Sequence, residues 1–457
     1  MAEEHEVDVV VVGLGPGGEH VAASLARAGL SVVGVDERLV GGECPYYGCV
    51  PSKMMIRAAG ALAEARRVPE LAGSAEVVPD WTVVADRIRD EATDDWDDAV
   101  AVQRLRDAGA TFVRGHGRFD GPGRVRVASA DGEQVFVVRR GVVLNTGTAP
   151  AVPPIEGLAG TPYWTNRDVA RLRALPASLA VLGGGAIGCE LAQAFARFGV
   201  RVSLIEAAPR LLGPEEPEAA AVVEEALAAD GIDLRTGAGV NGVRHDGAFT
   251  LDLADGSTVG ADALLVATGR RPNLADLGLD SVGLDPKARS LATDERMRVT
   301  DGIWAIGDIT GKGAFTHVSM YQADVAVRDL TGADGPWADY RAVSWVTFTD
   351  PEVGRVGMSE QQARDAGIRV ATATTDLASS SRGWLHKAGN AGLIKLVADL
   401  DRGNLVGATA VGPCGGEVVG ALVTAVHAEV PLATLRTMHL AYPTFHRAIG
   451  SALANLG

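Results

Sequence analysis

A strand, a glycine-rich turn, a helix and a second strand ending on an acid occur twice in this chain, and that repeat constrains the fold. Val7–Val12 is a short β-branched run, the mark of a buried parallel strand. It enters Gly13-Leu-Gly15-Pro-Gly-Gly18, a helical stretch over about Glu19–Ala28 follows, and Ser31–Val35 closes on Asp36. Far downstream, Leu179–Leu182 enters Gly183-Gly-Gly185-Ala-Ile-Gly188, a helix runs to about Phe198, and Arg201–Ile205 ends on Glu206. In both, the acid stands 18 positions after the last glycine. One such turn is a weak signal. Two, each between strand and helix and each with its acid in place, are a strong one.

The glycines let the backbone turn tightly and approach a pyrophosphate with no Cβ in the way, and the helix N-terminus offers N–H groups and positive charge to the anion. Asp36 and Glu206 are placed to accept hydrogen bonds from ribose hydroxyls, so the chain is expected to bind two dinucleotides. Val142–Leu144 before Asn145-Thr146-Gly147, Leu264–Val266 before Ala267-Thr-Gly269, and Trp304-Ala-Ile before Gly307-Asp308 read as further strand ends packed over nucleotides. Val152-Pro-Pro154 reads as a hinge, and charged Ala85–Ala108 as a surface hairpin of helices. From about Ala342 the texture changes to strands, including Trp345–Phe348 and Leu393–Ala398, and then helices, as in a separate C-terminal domain. The expected architecture is α/β: two Rossmann-like dinucleotide-binding domains plus an α+β C-terminal domain.

A chain of 457 residues is too long for one core, which agrees with several domains. Its net charge of −16 repels phosphate backbones and anionic headgroups, so neither nucleic acid nor membrane is an expected partner. The first residues, Met1-Ala-Glu-Glu-His-Glu, lack a basic region and apolar stretch, and no apolar run is long enough to span a bilayer; the expected location is cytoplasmic.

Cys44 and Cys49, in Gly41-Gly42-Glu43-Cys44-Pro-Tyr-Tyr-Gly-Cys49-Val-Pro-Ser-Lys53, form the most specific stretch. Two cysteines five apart entering a helix reach bonding distance if the backbone bends, and a helix N-terminus favours the reactive thiolate. No companion cysteine or histidine stands at ligand spacing, so no metal is expected. Cys189 and Cys414 are isolated and read as small buried packing residues.

The glycine fingerprint at Gly13, the Gly-Gly-x-Cys-x4-Cys-x-Pro-Ser-Lys run, the second fingerprint at Gly183, Gly307-Asp308 and Phe348-Thr-Asp-Pro-Glu-Val-Gly354 together resemble the pyridine nucleotide-disulfide oxidoreductases in order and spacing. These include dihydrolipoamide dehydrogenase, glutathione reductase and mercuric reductase, and the resemblance covers essentially the whole chain. It implies an FAD domain from residues 1–150 and 274–340, an NAD(P)H domain over 151–273, and a homodimer formed through 341–457. It also implies electron flow from NAD(P)H through FAD to a Cys44–Cys49 disulfide, with Cys49 facing the flavin and Cys44 the acceptor. Lys53 and Glu190 match an ion pair near the flavin. Further cofactor contacts carried by the resemblance fall on Gly13, Gly15, Gly18, Asp36, Glu37, Gly42, Lys53, Gly117, Thr146, Gly147, Gly307, Asp308 and His317 for FAD. Gly183, Gly185, Gly188, Glu206 and Gly269 serve the second nucleotide. Glu206 repels a 2′-phosphate, so NADH is expected, with NADPH as the alternative since Arg210 stands four residues on and softens that repulsion.

Three departures bear on the acceptor. Disulfide-reducing relatives carry His-Pro-Thr and then a glutamate near the C-terminus, where this chain has Tyr442-Pro-Thr444-Phe-His446-Arg447. A phenol, with a pKa of roughly 10, scarcely acts as a base at neutral pH, and losing a positioned base typically costs about 10²- to 10⁴-fold. His446 is a candidate substitute, set off from Tyr442 by about 6 Å if the two share a helix. Ala186 stands where glutathione reductases have tyrosine, against glutathione as substrate. Glu43 replaces the usual threonine beside Cys44, and its charge opposes the thiolate. Mercuric reductases share the missing histidine, but they end in a cysteine pair and this chain ends Ser451-Ala-Leu-Ala-Asn-Leu-Gly457. The leading expectation is therefore a reductase of a small-molecule disulfide or other thiol-reactive acceptor through Cys44 and Cys49. The alternatives are a quinone or dye reductase acting straight from the flavin, mercuric-reductase-like metal reduction, and a non-catalytic redox-sensing flavoprotein.

Overall fold

The computed structural model describes residues 3–456. They form two compact units. The first comprises residues up to Pro51, Asp86–Ala151 and Arg270–Asp339; the second comprises Ser52–Ala85, Val152–Gly269 and the chain from Tyr340 onward.

The first unit is built on an eight-stranded sheet whose main path runs Arg298–Thr300, Ile303–Ala305, Gly132–Leu144, Glu3–Val12, Val32–Asp36, Thr111–Arg114. The central strands are parallel, with Val9 opposite Val32 on one side and Gly141 on the other. The Val9–Val12 half of the first strand is buried on both faces, which is why it reads as an unbroken valine run. Val9 and Val11 pack with Leu14 of the glycine turn, with Val21 and Leu25 of the helix Pro16–Arg27, and with Leu105 and Ala326. Val10 and Val12 pack with Val33, Val35, Phe119 and Leu144 on the other face. Val7 joins that second face because the register slips between Val7 and Val9.

The second unit holds three sheets. A parallel four-stranded sheet runs Asp233–Arg235, Arg201–Ile205, Ser178–Leu182, Ala263–Val266, beside an antiparallel meander of Val240–His245, Phe249–Leu253 and Thr258–Ala261. A five-stranded antiparallel sheet runs Ser344–Thr347, Glu352–Gly357, Asn404–Gly412, Leu393–Asp399, Val370–Asp376. The helices Gly415–His427 and Arg447–Ala454 close its core through Val418, Leu422, Ile449 and Leu453. The α/β architecture, with Rossmann-like domains and a distinct C-terminal domain, is as the sequence implies.

Two expectations need correction. The first glycine turn gives way to helix at Pro16, three residues before Glu19, because proline suits the first helical position. The charged segment over 85–108 is more than a surface hairpin. A π-helical turn, Ile88–Ala92, follows the helix Trp81–Arg87, and the later helix Ala99–Asp107 turns Ala101, Val102 and Leu105 into the first unit's core. Its charges made that segment look wholly solvated, whereas they line one face only.

Candidate active site

The repeat seen in the sequence extends to individual hydrogen bonds. In the first unit, Asp36 accepts from the N–H of Leu14 at 2.7 Å and of Arg38 at 2.7 Å. In the second, Glu206 accepts from the N–H of Gly184 at 2.7 Å and of Ala208 at 2.7 Å. Each acid therefore pins the glycine turn that precedes it by one bond and the loop that follows it by the other. Burial pushes the Asp36 carboxyl up from its ordinary value, against the lowering effect of those two N–H groups.

The glycines are required by close approach. A Cβ on Gly13 would lie 2.4 Å from the Asn145 carbonyl oxygen, and one on Gly183 2.5 Å from that of Ala267. Gly18 and Gly188 sit against the carbonyls of Gly13 and Gly183 in the same way, leaving 2.0 and 1.9 Å for an added Cβ. Both following helices, Pro16–Arg27 and Ala186–Arg197, have glycine N-caps, Gly15 and Gly185, with no capping side chain. Space is open around Gly147, Gly185 and Gly269. Tight turns, glycine N-caps and open space at Gly147, Gly185 and Gly269 suit two pyrophosphates.

The cysteines adjoin the first of these turns. Gly41 and Gly42 adopt positive φ, +106° and +68°, and a Cβ on Gly42 would lie 3.0 Å from Gly15 Cα. Cys44 lies in a short helical turn, Glu43–Tyr46, that closes as Tyr47 and Gly48 both donate to the Glu43 carbonyl, at 2.9 and 2.7 Å. Cys49 opens the long helix Cys49–Leu71, and the Cys44–Cys49 pair lies near disulfide distance. The Cys49 sulfur is 3.5 Å from Thr316 Oγ1, and His317 beside it stacks on Phe315 with ring centres 5.5 Å apart.

In the second unit Lys53 donates to Glu190 Oε2 at 2.9 Å. Glu190, nearly fully buried, also accepts from the Phe348 N–H at 2.8 Å, and the Lys53 ammonium sits 4.7 Å over the Phe348 ring. Two favourable contacts thus hold the ammonium, and two donors satisfy the buried carboxylate.

Several residues that hold the site together escaped sequence reasoning. Buried Asn145 accepts from Gly18 N–H at 2.8 Å and donates to the Ile306 carbonyl at 3.1 Å, tying the first glycine turn to the strand end before Gly307. Gln322, fully buried, accepts from Gly307 N–H at 2.6 Å. Thr148 donates to Asp308 Oδ2 at 2.8 Å. Asn145 and Thr148 lie in a stretch singled out as a nucleotide turn, so their polar, small character was the available signal.

Other expected residues make contacts within the protein. Glu37 turns to His116, Oε2 to Nδ1 at 3.0 Å, and Gly117 sits in the strand His116–Phe119 where an added Cβ would meet Val12 and Val35. The Thr146 hydroxyl donates to the Asn273 carbonyl at 2.8 Å. Tyr442 and His446 do not share a helix: the chain turns between them and the helix starts at Arg447, with Tyr442 72% exposed. Cys414 is exposed, not buried, because it caps the helix Gly415–His427 while Gly415 does the close packing. Cys189 is buried as expected, and burial raises its thiol pKa. Arg210 points its guanidinium at the carbonyls of Leu211, Leu212, Gly213 and Glu215. Among the described residues no group of three or more His, Cys, Asp or Glu could hold a metal, and no helix is long and apolar enough to cross a membrane.

Two matched dinucleotide turns, a cysteine pair set against the first, and an antiparallel C-terminal sheet define an oxidoreductase that uses two nucleotides. The chain belongs to the pyridine nucleotide-disulphide oxidoreductases: that family's pattern matches residues 7–328, and its dimerisation domain matches residues 343–453. It is 35% identical over 452 residues to a mercuric reductase of Shigella flexneri, covering 94% of this chain and 78% of that protein. It is 32% identical over 452 residues to the dihydrolipoyl dehydrogenase of Geobacillus stearothermophilus, covering 96% and 94%. Among solved structures it resembles LpdA from Mycobacterium tuberculosis with a TM-score of 0.87 at 27% identity, covering 99% and 100%. Members are NAD(P)H-dependent flavoprotein disulfide oxidoreductases that use FAD, and the dimerisation domain implies a homodimer.

Proposed function

We propose that this protein is an NADH-dependent flavoenzyme that reduces a small-molecule disulfide, or another thiol-reactive acceptor, through Cys44 and Cys49. The observation that carries this reading is the cysteine pair near disulfide distance, held against the first dinucleotide turn where Gly42 meets Gly15. We assign residues 1–150 and 274–340 to FAD, 151–273 to the nicotinamide nucleotide and 341–457 to dimerisation.

FAD and NADH together supply two-electron transfer when bound. Gly13, Gly15, Gly18, Asp36, Gly42, Gly147 and Asp308 would hold the first, and Gly183, Gly185, Gly188, Glu206 and Gly269 the second. Two electrons and two protons convert the Cys44–Cys49 disulfide to a dithiol. Cys44, as thiolate, then attacks the acceptor disulfide, one acceptor thiol leaves with a proton, and Cys49 attacks Cys44 to release the second thiol and restore the disulfide. Lys53, fixed by Glu190 and Phe348, matches the family's lysine and would supply the positive charge that the resemblance implies for the flavin. Glu206 keeps lone pairs for ribose hydroxyls and repels a 2′-phosphate. Arg210, committed to four carbonyls, leaves that repulsion in force, which supports NADH over NADPH.

The test is NADH oxidation against lipoamide, other disulfides and a quinone, with native protein and Cys44→Ser. Disulfide turnover that vanishes in the variant supports the reading. Turnover of the quinone alone, equal in both proteins, would instead make this a reductase acting straight from the flavin.

A further inference from the structure

Glu43, the residue before Cys44 in the chain, has a built partner for its carboxylate. Glu43 Oε2 lies 3.5 Å from Arg270 Nη2. Arg270 belongs to a two-stranded ribbon, Arg270–Pro272 paired with Thr148–Pro150, all in the first unit. Its Nε donates to Thr148 Oγ1 at 2.6 Å and its Nη2 to the Thr148 carbonyl at 2.8 Å. The Thr148 hydroxyl spends its one proton on Asp308 at 2.8 Å, so the bonds run in one direction from guanidinium through hydroxyl to carboxylate. Loose surface ion pairs contribute little because two long side chains must be ordered together. Here the cation is ordered in advance by two bonds to a buried threonine, so the pair with Glu43 forms on a guanidinium that is already fixed.

We propose that Arg270 is a positioning residue that holds the Glu43 carboxylate as a paired charge and so lets Cys44 act as a thiolate. An unpaired carboxylate next to a thiol disfavours its ionised form; the same carboxylate bound to a guanidinium presents little net charge. The charges that bear on Cys44 through this chain are Glu43, Arg270 and, behind Thr148, Asp308. The inference rests on Cys44 being the acceptor-facing sulfur.

The experiment uses FAD-loaded protein carrying Cys49→Ser, so that Cys44 has no disulfide partner, and follows its alkylation by iodoacetamide at pH 7. Arg270→Met is expected to slow alkylation about tenfold, the change in thiolate fraction from one unpaired neighbouring charge. Adding Glu43→Gln to that variant is expected to restore the rate, and Glu43→Gln alone to raise it. An equal loss with and without the Glu43 carboxylate, or no loss from Arg270→Met, overturns the proposal. If Arg270→Met does not retain FAD, Glu43→Gln alone decides: an unchanged or slower rate overturns it. Alkylation needs no acceptor, so its outcome is independent of whether Cys44→Ser abolishes disulfide turnover.

Discussion

Single residues decide nucleotide choice. Glu206 has one job visible in the structure, pinning Gly184 and Ala208, and a second proposed for it, accepting from the ribose hydroxyls of NADH. Substitution separates the two. Glu206→Gln keeps an acceptor for the loop but removes the charge that repels a 2′-phosphate. The expected outcome is a kcat/KM for NADH lower by about tenfold, from weakening one charge-assisted hydrogen bond worth roughly 1.5 kcal/mol. A rise in kcat/KM for NADPH should accompany it. An unchanged ratio of the two, measured by steady-state kinetics, would mean that the acid only shapes the turn. This residue was legible in the sequence because its distance from the last glycine is fixed by one helix and one strand. Asn145, Gln322 and Arg270 were not legible as site residues. Asn145 meets Gly18 across 127 positions and Arg270 meets Thr148 across 122, separations that no local pattern encodes.

At the scale of elements, one carboxylate fastens a helix to two strands. The side chain of Asp329, on the helix Thr316–Thr331, is 2% exposed and accepts from Arg298 Nε at 2.5 Å, Trp304 Nε1 at 2.9 Å and Arg296 Nη1 at 3.4 Å. Arg298 and Trp304 face each other on adjacent strands, so the helix end is clamped to the sheet edge. Burial works to raise the Asp329 pKa, and the bonds from Arg298, Trp304 and Arg296 outweigh it, holding the carboxyl below its ordinary value. A depressed folded-state pKa contributes stability that is present above the unfolded value, roughly 3.9, and is lost as pH falls through the folded value. Asp329→Asn is therefore expected to cost about 1.5–3 kcal/mol at pH 7. The gap between the two proteins should shrink as pH drops below about 4. Urea unfolding midpoints for both proteins across that range check this; a gap that stays constant or widens in acid would refute it. The same clamp shows why element boundaries were harder to read than their existence. The strand Ile303–Ala305 is short and apolar, yet Trp304 belongs in it partly for its indole N–H, which a hydrophobic pattern does not register.

The whole molecule raises the question of where the acid–base group for dithiol chemistry comes from. The His-Pro-Thr of disulfide-reducing relatives falls near the end of the domain matched at residues 343–453, and in this chain that position holds Tyr442. Tyr442 lies in no helix and is 72% exposed in the single chain, and His446 sits past a turn as the N-cap of the helix Arg447–Ala454. The turn rules out the simple substitution of one for the other by a step along a helix, so a neutral-pH base is lacking at the position where disulfide-reducing relatives have histidine. The consequence is specific to the reaction. Thiolate attack on a disulfide needs proton transfer at Cys44 and at the leaving thiol, whereas quinone reduction straight from the flavin bypasses both sulfurs. Tyr442→His should thus raise kcat for disulfide acceptors by about 10²-fold, the low end of what a positioned base contributes, and leave quinone turnover unchanged. The disulfide rate should also gain a pH dependence centred near the histidine value of roughly 6.5. Equal changes for both acceptors would point to an effect on folding or assembly. No change for either would mean that the acid–base group of this enzyme lies elsewhere, with Glu43 and its Arg270 partner the next residues to vary.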